Sequence, residues 1–375
     1  MQVTSRGFWR TSLTAALVAV ALALGVGAPA AAVVPVDDTP ERSWTVNGRV
    51  YAIEVVGDVA FVGGRFSAAV SPTGQSVARR NLAAFRVSDG SLLTTWRADA
   101  GAAVRALVSD GRSLWVGGHF RSISGLGQGY LAKVSVATGA ADRAFRVTLD
   151  EAVRGVDVQG GQLWAGGHFT TANGATRRHV VKLDASTAAV DQAFAANPSG
   201  RVFGLRKSPT TDVVYLAGTF ATLSGASRPG LGGVSATTGR PAGAVLANTT
   251  RPAQAVDVSD DGSMVFGGAD SNAVTGWRAS DGRRMWRTYA MGNVQAVKYS
   301  AGMLYFGFHE GHQNDTSVKV LAAEAATGAI DQAFRPRMYQ FWGVYAIDAG
   351  GGALVVGGDF TSISGVTAQG WARFG

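Results

Sequence analysis

The chain has 375 residues, which allows one large β domain or two smaller domains. Hydrophobic residues make up 46% of it and charged residues only 16%, so an intrinsically disordered chain is excluded. There is no cysteine, which excludes disulfide scaffolds, Cys-ligated metal centres and thiol nucleophiles. The formal net charge is +8, but no cluster of Lys and Arg forms a phosphate-binding patch, so the sequence predicts no nucleic-acid partner.

Residues 1–32 have the features of a secretory signal peptide. Arg6 and Arg10 precede an uncharged apolar run from Leu13 to Leu24, and small residues for cleavage follow at 30–32. The run is too short for a membrane-spanning helix, which needs about 20 residues. We therefore expect a secreted protein, released or non-covalently associated with the cell wall, with no transmembrane segment after cleavage. Arg is far commoner than Lys, which is typical of GC-rich bacterial coding.

After a short linker at 33–43, the rest of the chain consists of repeats. Seven times, an apolar run ends in a glycine pair or a degenerate copy of one, with copies 40 to 54 residues apart. The copies stand at Gly63-Gly64, Gly117-Gly118, Gly166-Gly167, Ala217-Gly218, Gly267-Gly268, Gly307-Phe308 and Gly357-Gly358. A fixed period of this length is typical of solenoids and propellers.

Other features recur in phase with the glycines. About 11 residues before each pair, the chain has an apolar residue, then any residue, then a small residue. The small residue is Ala52, Ala106, Gly155, Gly204, Ala255, Ala296 or Ala346. A further apolar segment, an X-Gly turn and in most copies an aromatic residue follow each pair. Four short apolar segments per unit predict four antiparallel strands, and seven units predict an all-β, seven-bladed β-propeller over residues 44–375.

The same pattern predicts how such a propeller would close. The first strand of each blade would lie nearest the axis, where only Ala or Gly fits, and aromatic residues would fill the wider outer gaps. The last copy ends after its third strand, while a surplus segment, Ser43–Val46, precedes the first copy. We therefore expect the N-terminal strand to complete the final blade and remove the open sheet edges.

The unit resembles the delta-60-repeat bacterial propeller family. The resemblance rests on the loop 120–125, whose pattern recurs at 169–174, 220–225 and 360–365, and on the Asp-x-x-Phe tails at 142–145, 191–194 and 331–334. It covers residues 44–375 and implies a secreted propeller of unassigned activity, with no catalytic residues to carry over. Kelch repeats share the glycine pair, but their later Tyr and Trp spacing is absent. Copies five and six depart most from the pattern.

Propellers usually bind ligands at the axial mouth, and the second position of each first-strand pattern should approach it. Two Arg, two Gln and three aromatic residues occupy these positions and would suit sugars, hydroxyls or carboxylates. They are Tyr51, Arg105, Arg154, Phe203, Gln254, Gln295 and Tyr345. Trp342, within the aromatic run 339–342, is a further binding candidate; the alternative for all eight is packing between blades.

Two other groups have weaker signals. Arg65, His119, His168, His309 and Asp359 follow glycine pairs and should reach the same face, but they stand in different repeats, which disfavours a metal site. The segment from His309 to Asp315 is densely polar and could act in acid–base chemistry or be a solvated turn. No pair of carboxylates stands out from the repeat as a glycosidase would require.

Three functions follow from this sequence. The first is a non-enzymatic binding or scaffold module for extracellular or cell-wall glycans or a protein partner, monomeric and without a cofactor. The second is a polysaccharide hydrolase or lyase with an atypical site near 309–315 or at the mouth. The third is a purely structural surface protein.

Overall fold

The computed structural model describes residues 1–2 and 37–375, and the latter belong to one compact unit. Every regular element in this part of the chain is a β-strand, and all paired strands are antiparallel, which confirms the predicted all-β class. No helix among the described residues is long and apolar enough to cross a membrane. The predicted signal peptide and its cleavage site lie outside the described residues, apart from Met1 and Gln2.

Seven principal sheets share one arrangement, in which the second strand in sequence lies between the first and the third. The first strands are β2 (Arg49–Val56), β7 (Val104–Ser109), β10 (Val153–Gln159), β15 (Val202–Lys207), β20 (Ala253–Val258), β24 (Val294–Ser300) and β27 (Gly343–Gly350). The second strands are β3 (Val59–Arg65), β8 (Ser113–Gly118), β11 (Gln162–Gly167), β16 (Val213–Gly218), β21 (Met264–Ala269), β25 (Met303–Phe308) and β28 (Ala353–Asp359). The third strands are β6 (Leu82–Arg86), β9 (Leu131–Ser135), β14 (Val180–Asp184), β19 (Leu231–Ser235), β22 (Ala273–Arg278), β26 (Val320–Glu324) and β31 (Trp371–Phe374).

The remaining strands are short, except for β23 (Arg284–Tyr289), which is a fourth strand in the fifth sheet. A small three-stranded sheet contains β1 (Thr45–Val46), β4 (Ala68–Val70) and β5 (Ser76–Ala78). Three two-stranded hairpins pair β12 (Thr171–Ala172) with β13 (Ala175–Thr176), β17 (Thr222–Leu223) with β18 (Ala226–Ser227), and β29 (Ser362–Ile363) with β30 (Val366–Thr367).

The prediction of four strands in every unit is wrong for six of the seven principal sheets. In the described chain only the fifth has a fourth strand, and elsewhere a single bridge, such as Val134 with Ala141, takes its place. In the three sheets whose bridge is followed by an Asp-x-x-Phe tail, the cause is the turn that follows. The carboxylate of Asp142 accepts a hydrogen bond from the backbone N–H of Ala144 at 2.9 Å, as Asp191 does from Ala193. An Asx turn of this kind bends the chain away before a ladder can extend.

Each glycine of a pair permits a different close approach. A Cβ added to Gly117 would lie 2.6 Å from Cγ1 of Val153 in β10, the first strand of the next sheet. One added to Gly118 would lie 2.3 Å from the carbonyl oxygen of Ala103 in its own sheet. In this sheet the first glycine therefore lets neighbouring sheets pack, and the second lets the chain enter its own first strand. In the fifth sheet the register is shifted by one residue, and the second glycine, Gly268, meets Val294 of the next sheet. Close packing at the end of the second strand is therefore the reason that glycine recurs there.

Neighbouring sheets contact one another mainly through their first strands. The strand β2 packs against β7, β7 against β10, β10 against β15, β15 against β20, β20 against β24, β24 against β27, and β27 against β2. The hydrophobic core is correspondingly divided into seven clusters, each shared by two consecutive sheets. One contains Val50 and Phe85 of the first sheet together with Ala346 and Trp371 of the seventh.

The two ends of the described chain are hydrogen-bonded to each other. The N–H of Glu41 donates to the carbonyl of Arg373 at 3.0 Å, and the N–H of Val46 donates to the carbonyl of Gln369 at 3.1 Å. The predicted strand Ser43–Val46 is misplaced, because Thr45 and Val46 pair with β4 instead of β31. The bond from Glu41 to Arg373 matches the bond from Asp142 to Lys133. Thus Glu41 occupies the place of the repeated tail aspartate, and Trp44 the place of the aromatic three residues later.

Most of the repeated aromatic residues are buried where the pattern predicts large side chains. Trp96, Phe145, Phe194 and Phe334 are at most 1% exposed. The indole N–H of Trp96 donates to the carbonyl of Ser135 in the following sheet at 3.2 Å, so the ring spans the gap between two sheets.

Candidate functional site

The structure brings seven of the eight predicted binding residues together in one cavity. A cavity of about 200 Å³ is lined by Tyr51, Arg105, Arg154, Phe203, Gln254, Gln295 and Tyr345. We call this space the seven-residue cavity. Small-molecule sites in proteins are roughly 300–1,000 Å³, so the space is small and suits one compact unit.

A β-bulge presents each of these side chains. In every principal sheet the pairing of the first and second strands shifts by one residue at this position: Val104 pairs with Gly118 and Ala106 with Gly117, which leaves Arg105 unpaired. The same shift occurs at the other six positions. A bulge removes a residue from the ladder and re-aims its side chain. The sevenfold bulge is why residues from seven sheets line one space.

On one side of the cavity, an arginine lies over a tyrosine ring, and a second tyrosine contacts that ring edge to face. The guanidinium carbon of Arg105 lies 3.8 Å from the ring centroid of Tyr51, and the Tyr51 and Tyr345 rings meet edge to face at 5.3 Å. Burial raises the pKa of Tyr345 to about 12, so its hydroxyl keeps its proton at neutral pH. At the rim, Arg49 Nε is 2.9 Å from the carboxylate of Asp359.

The other arginine is flanked by aromatic and imidazole rings. Arg154 lies 5.1 Å over the ring of Phe203, and the ring of His168 lies 6.1 Å beyond Phe203. His168 Nδ1 is 3.3 Å from a carboxylate oxygen of Glu151, and its ring is 6.5 Å from that of His119. Both imidazoles therefore lie beside the cavity, as predicted for residues that follow a glycine pair.

The seven-residue cavity is electropositive. Its lining, as the structure describes it, contains two arginines and no carboxylate. Burial lowers the pKa of Arg105, and burial together with the charge of Arg105 lowers the pKa of Arg154 to about 10. Burial and the two arginines also lower the pKa of His119. Two cations held close together without a counter-ion create a site that favours an anion.

Trp342, the eighth predicted residue, does not line the cavity. Its side chain is 42% exposed. The centroid of its ring lies 4.9 Å from that of Phe341 and 5.7 Å from that of His309. Tyr339 is 75% exposed in the same run. Trp342 was predicted from its place in an aromatic run and not from its position within the repeat. Only the position within the repeat identifies the residues at a β-bulge.

The polar segment from His309 to Asp315 forms a compact turn. The ring Nε2 of His309 accepts a hydrogen bond from the backbone N–H of Asn293 at 3.1 Å, and His312 Nδ1 contacts the carbonyl of Tyr289 at the same distance. Asp315 accepts from Ser317 and pairs with Arg337 at 3.2 Å. These contacts hold the segment in a turn and support the turn interpretation, although Nε2 of His312 is buried without a hydrogen-bond partner in the described structure.

No three His, Asp or Glu side chains come together with metal-binding geometry within residues 37–375. The histidines that follow glycine pairs separate accordingly. His119 and His168 lie beside the seven-residue cavity, whereas His309 packs against Phe341 and Trp342.

The first strands also hold a second set of charged residues, which no sequence motif marks. In each repeat the residue four positions after the first pattern residue is ionisable, except for Val108. We call this set the ionic collar; it consists of Glu54, Asp157, Arg206, Asp257, Lys298 and Asp348. The position of these residues within the repeat is fixed. The residue is an acid in some repeats and a base in others, so no sequence motif recurs there.

The ionic collar connects consecutive sheets. Asp348 in the seventh sheet accepts from the N–H of Val55 in the first at 2.7 Å and pairs with Lys298 at 2.7 Å. Arg206 lies 3.0 Å from Asp257, whose charge raises the pKa of this arginine. Glu54 accepts from the N–H of Ser109 at 2.9 Å. Burial, together with Asp348, raises the pKa of Glu54 to about 8.

Comparisons with known proteins find a likeness of fold but no related sequence. No protein-family model matches the chain, and no curated protein matches it. Among solved structures, the chain is similar to the computationally designed Ika8 protein, with a TM-score of 0.54 and 12% identity. The match covers 88% of this chain and 98% of that one. At this identity the likeness concerns the fold alone.

Proposed function

We propose that the protein is a seven-bladed β-propeller that acts as a non-enzymatic binding module, with the seven-residue cavity as its ligand site. The observation that carries the proposal is the sevenfold β-bulge, which gives one side chain per principal sheet to a single cavity. The resemblance to delta-60-repeat propellers supports the same architecture. The segment at 1–32 leads us to place this activity outside the cell, toward glycans or a protein partner.

Three observations support the propeller. First strands contact one another in sequence order, and β27 contacts β2. A Cβ added to Gly357 in the seventh sheet would lie 2.4 Å from Val50 in the first, which repeats the contact of Gly117 with Val153. The bond from Glu41 to Arg373 repeats a bond found inside the other units. A closed ring explains all three, because the seventh and first sheets then meet like any other pair.

The binding proposal is tested by a glycan and peptide array followed by titration of each hit. We expect Arg105→Ala to weaken binding at least tenfold, because Arg105 lies against Tyr51 in the cavity. Arg143→Ala is the matched control, since Arg143 is exposed and far from the cavity lining. Binding that is unchanged by Arg105→Ala but lost in Trp342→Ala would move the site to the exposed aromatic run and contradict the proposal.

A second candidate function is a hydrolase or lyase at the same cavity. The observation favouring it is the pair of Glu151 and His168, in which the carboxylate contacts Nδ1 and leaves Nε2 for a substrate. Burial and Arg154 lower the pKa of His168, so the imidazole is neutral at pH 7 and can act as a base. Turnover of a polysaccharide that disappears in His168→Ala, but not in His309→Ala, would establish this function and overturn the binding-only proposal.

A further inference from the structure

Two polar atoms of the seven residues that line the cavity are buried and have no hydrogen-bond partner in the described structure. They are Nε of Arg105, a donor, and the side-chain oxygen Oε1 of Gln295, an acceptor. A buried polar group without a partner costs about 1–3 kcal/mol, so such groups point to a missing partner. Gln254, by contrast, is already used, because its Nε2 donates to Asp270 at 2.6 Å.

The unused atoms specify a ligand by its chemistry. Arg105 and Arg154 need an oxyanion, and no carboxylate of the lining supplies one. Gln295 Oε1 needs a donor such as a hydroxyl group. The rings of Tyr51, Phe203 and Tyr345 give the same space apolar surface, on which the C–H face of a sugar can lie. One compact group that has a carboxylate, hydroxyls and an apolar face is a uronic acid.

We propose that the seven-residue cavity binds a uronic acid unit of an acidic extracellular polysaccharide, with its carboxylate between Arg105 and Arg154 and a hydroxyl on Gln295. This inference rests on the proposed binding function and adds the class of ligand. A planar guanidinium matches a carboxylate with two parallel N–H donors, which a neutral sugar does not offer. The partly desolvated arginines make the charge, and not the sugar ring alone, the main source of affinity.

The test is isothermal titration of the unmodified full chain with three matched probes: digalacturonate, its methyl ester and neutral galactobiose. The ester keeps the size of the acid but removes its charge. We expect digalacturonate to bind at least tenfold more tightly than either neutral probe. Its affinity should fall as salt increases, because the contact is between charges.

Variants locate the contact on the protein. Arg154→Gln should lose most of the preference for the acid over the ester, whereas Arg143→Gln should retain it. The folding of each variant is checked by its NMR spectrum, and Arg154→Gln should also raise the pKa of His119, because Arg154 lowers it in the native protein.

The outcomes separate this inference from the function on which it rests. Binding of galactobiose as tight as that of digalacturonate would overturn the uronic acid and leave a glycan-binding module in place. A preference for the acid that Arg154→Gln leaves unchanged would also overturn it, since the carboxylate would then lie elsewhere. Failure of every probe on the array, neutral or charged, would overturn both proposals.

Discussion

Glu54 is a carboxylic acid held where its charged form is disfavoured. Its pKa of about 8 lies above its ordinary value of 4.5, since burial and the charge of Asp348 outweigh the nearby Lys298. The folded protein therefore retains a proton that the unfolded chain releases. The stability contributed by Glu54 is complete below about pH 4.5 and is lost as the pH rises through about 8.

Glu54→Gln should remove this dependence, because an amide resembles the protonated acid and can accept the same bond from Ser109. At pH 5 the variant and the native protein should melt at similar temperatures. At pH 9 the variant should be more stable, by on the order of 2 kcal/mol. Thermal melts at both pH values check this, with the exposed Glu324→Gln as control. A difference that is the same at both pH values would contradict the account.

Residues are predictable from sequence when their position in the repeat determines their geometry. The seven cavity positions could be found because the small residue that follows each of them recurs as Ala or Gly, as in Ala106 and Gly155. The ionic collar could not be found, because Arg206 and Asp257 are opposite in charge yet occupy the same position. Only the contact between their strands shows that they form an ion pair.

At the scale of strands, neighbouring sheets contact one another mainly through their first strands, and a glycine at the end of the second strand permits this close approach. The first, second and third strands follow directly from apolar runs separated by turns. The fourth strand does not, because in three sheets a hydrogen bond to one carboxylate, as at Asp142, ends the pairing after a single bridge. An apolar segment predicts that a strand is possible, but the turn that follows decides its length.

Gly117→Ala should destabilise the protein by about 1–3 kcal/mol, because the new methyl group would overlap Val153 of the next sheet. Val153→Ala should relieve the overlap, so the double variant should lose less stability than the sum of the single variants. Gly127→Ala is the control, since a Cβ there meets no atom within 4 Å. Additive losses, measured by chemical denaturation, would show that the glycine does not serve contact between these sheets.

For the whole molecule, the junction of the seventh and first sheets is decisive. Trp371 of β31 is fully buried, and its ring stacks on Phe85 of the first sheet at 4.6 Å. Arg373, also buried, forms an ion pair with Glu41, and its Nη1 donates to the carbonyl of Val87 at 2.9 Å. The sequence predicts that the two ends meet, but not the register, because Glu41 replaces the aspartate of the other tails.

Deletion of residues 370–375 should lower the melting temperature by more than 10 °C, because it removes core residues from two sheets at once and opens the proposed ring. A loss of 1 kcal/mol alone shifts Tm by roughly 2–4 °C in a large domain. Deletion of Gly375 alone is the control, since it is exposed. Glu41→Pro, which removes the N–H bonded to Arg373, should lower it less but in the same direction. An unchanged melting temperature in both variants would show that the ends do not close the fold.

The β-bulges separate the residues that line the cavity from the pairing that holds the sheets together. A side chain such as Gln254 or Phe203 lies outside the ladder, so replacing it leaves every interstrand pairing of its sheet in place. Under the proposed binding function, specificity can thus change through these seven positions while the sheets persist, and positions in contact, such as Arg105 and Tyr51, change together. The same seven codons are then the targets for a designed library.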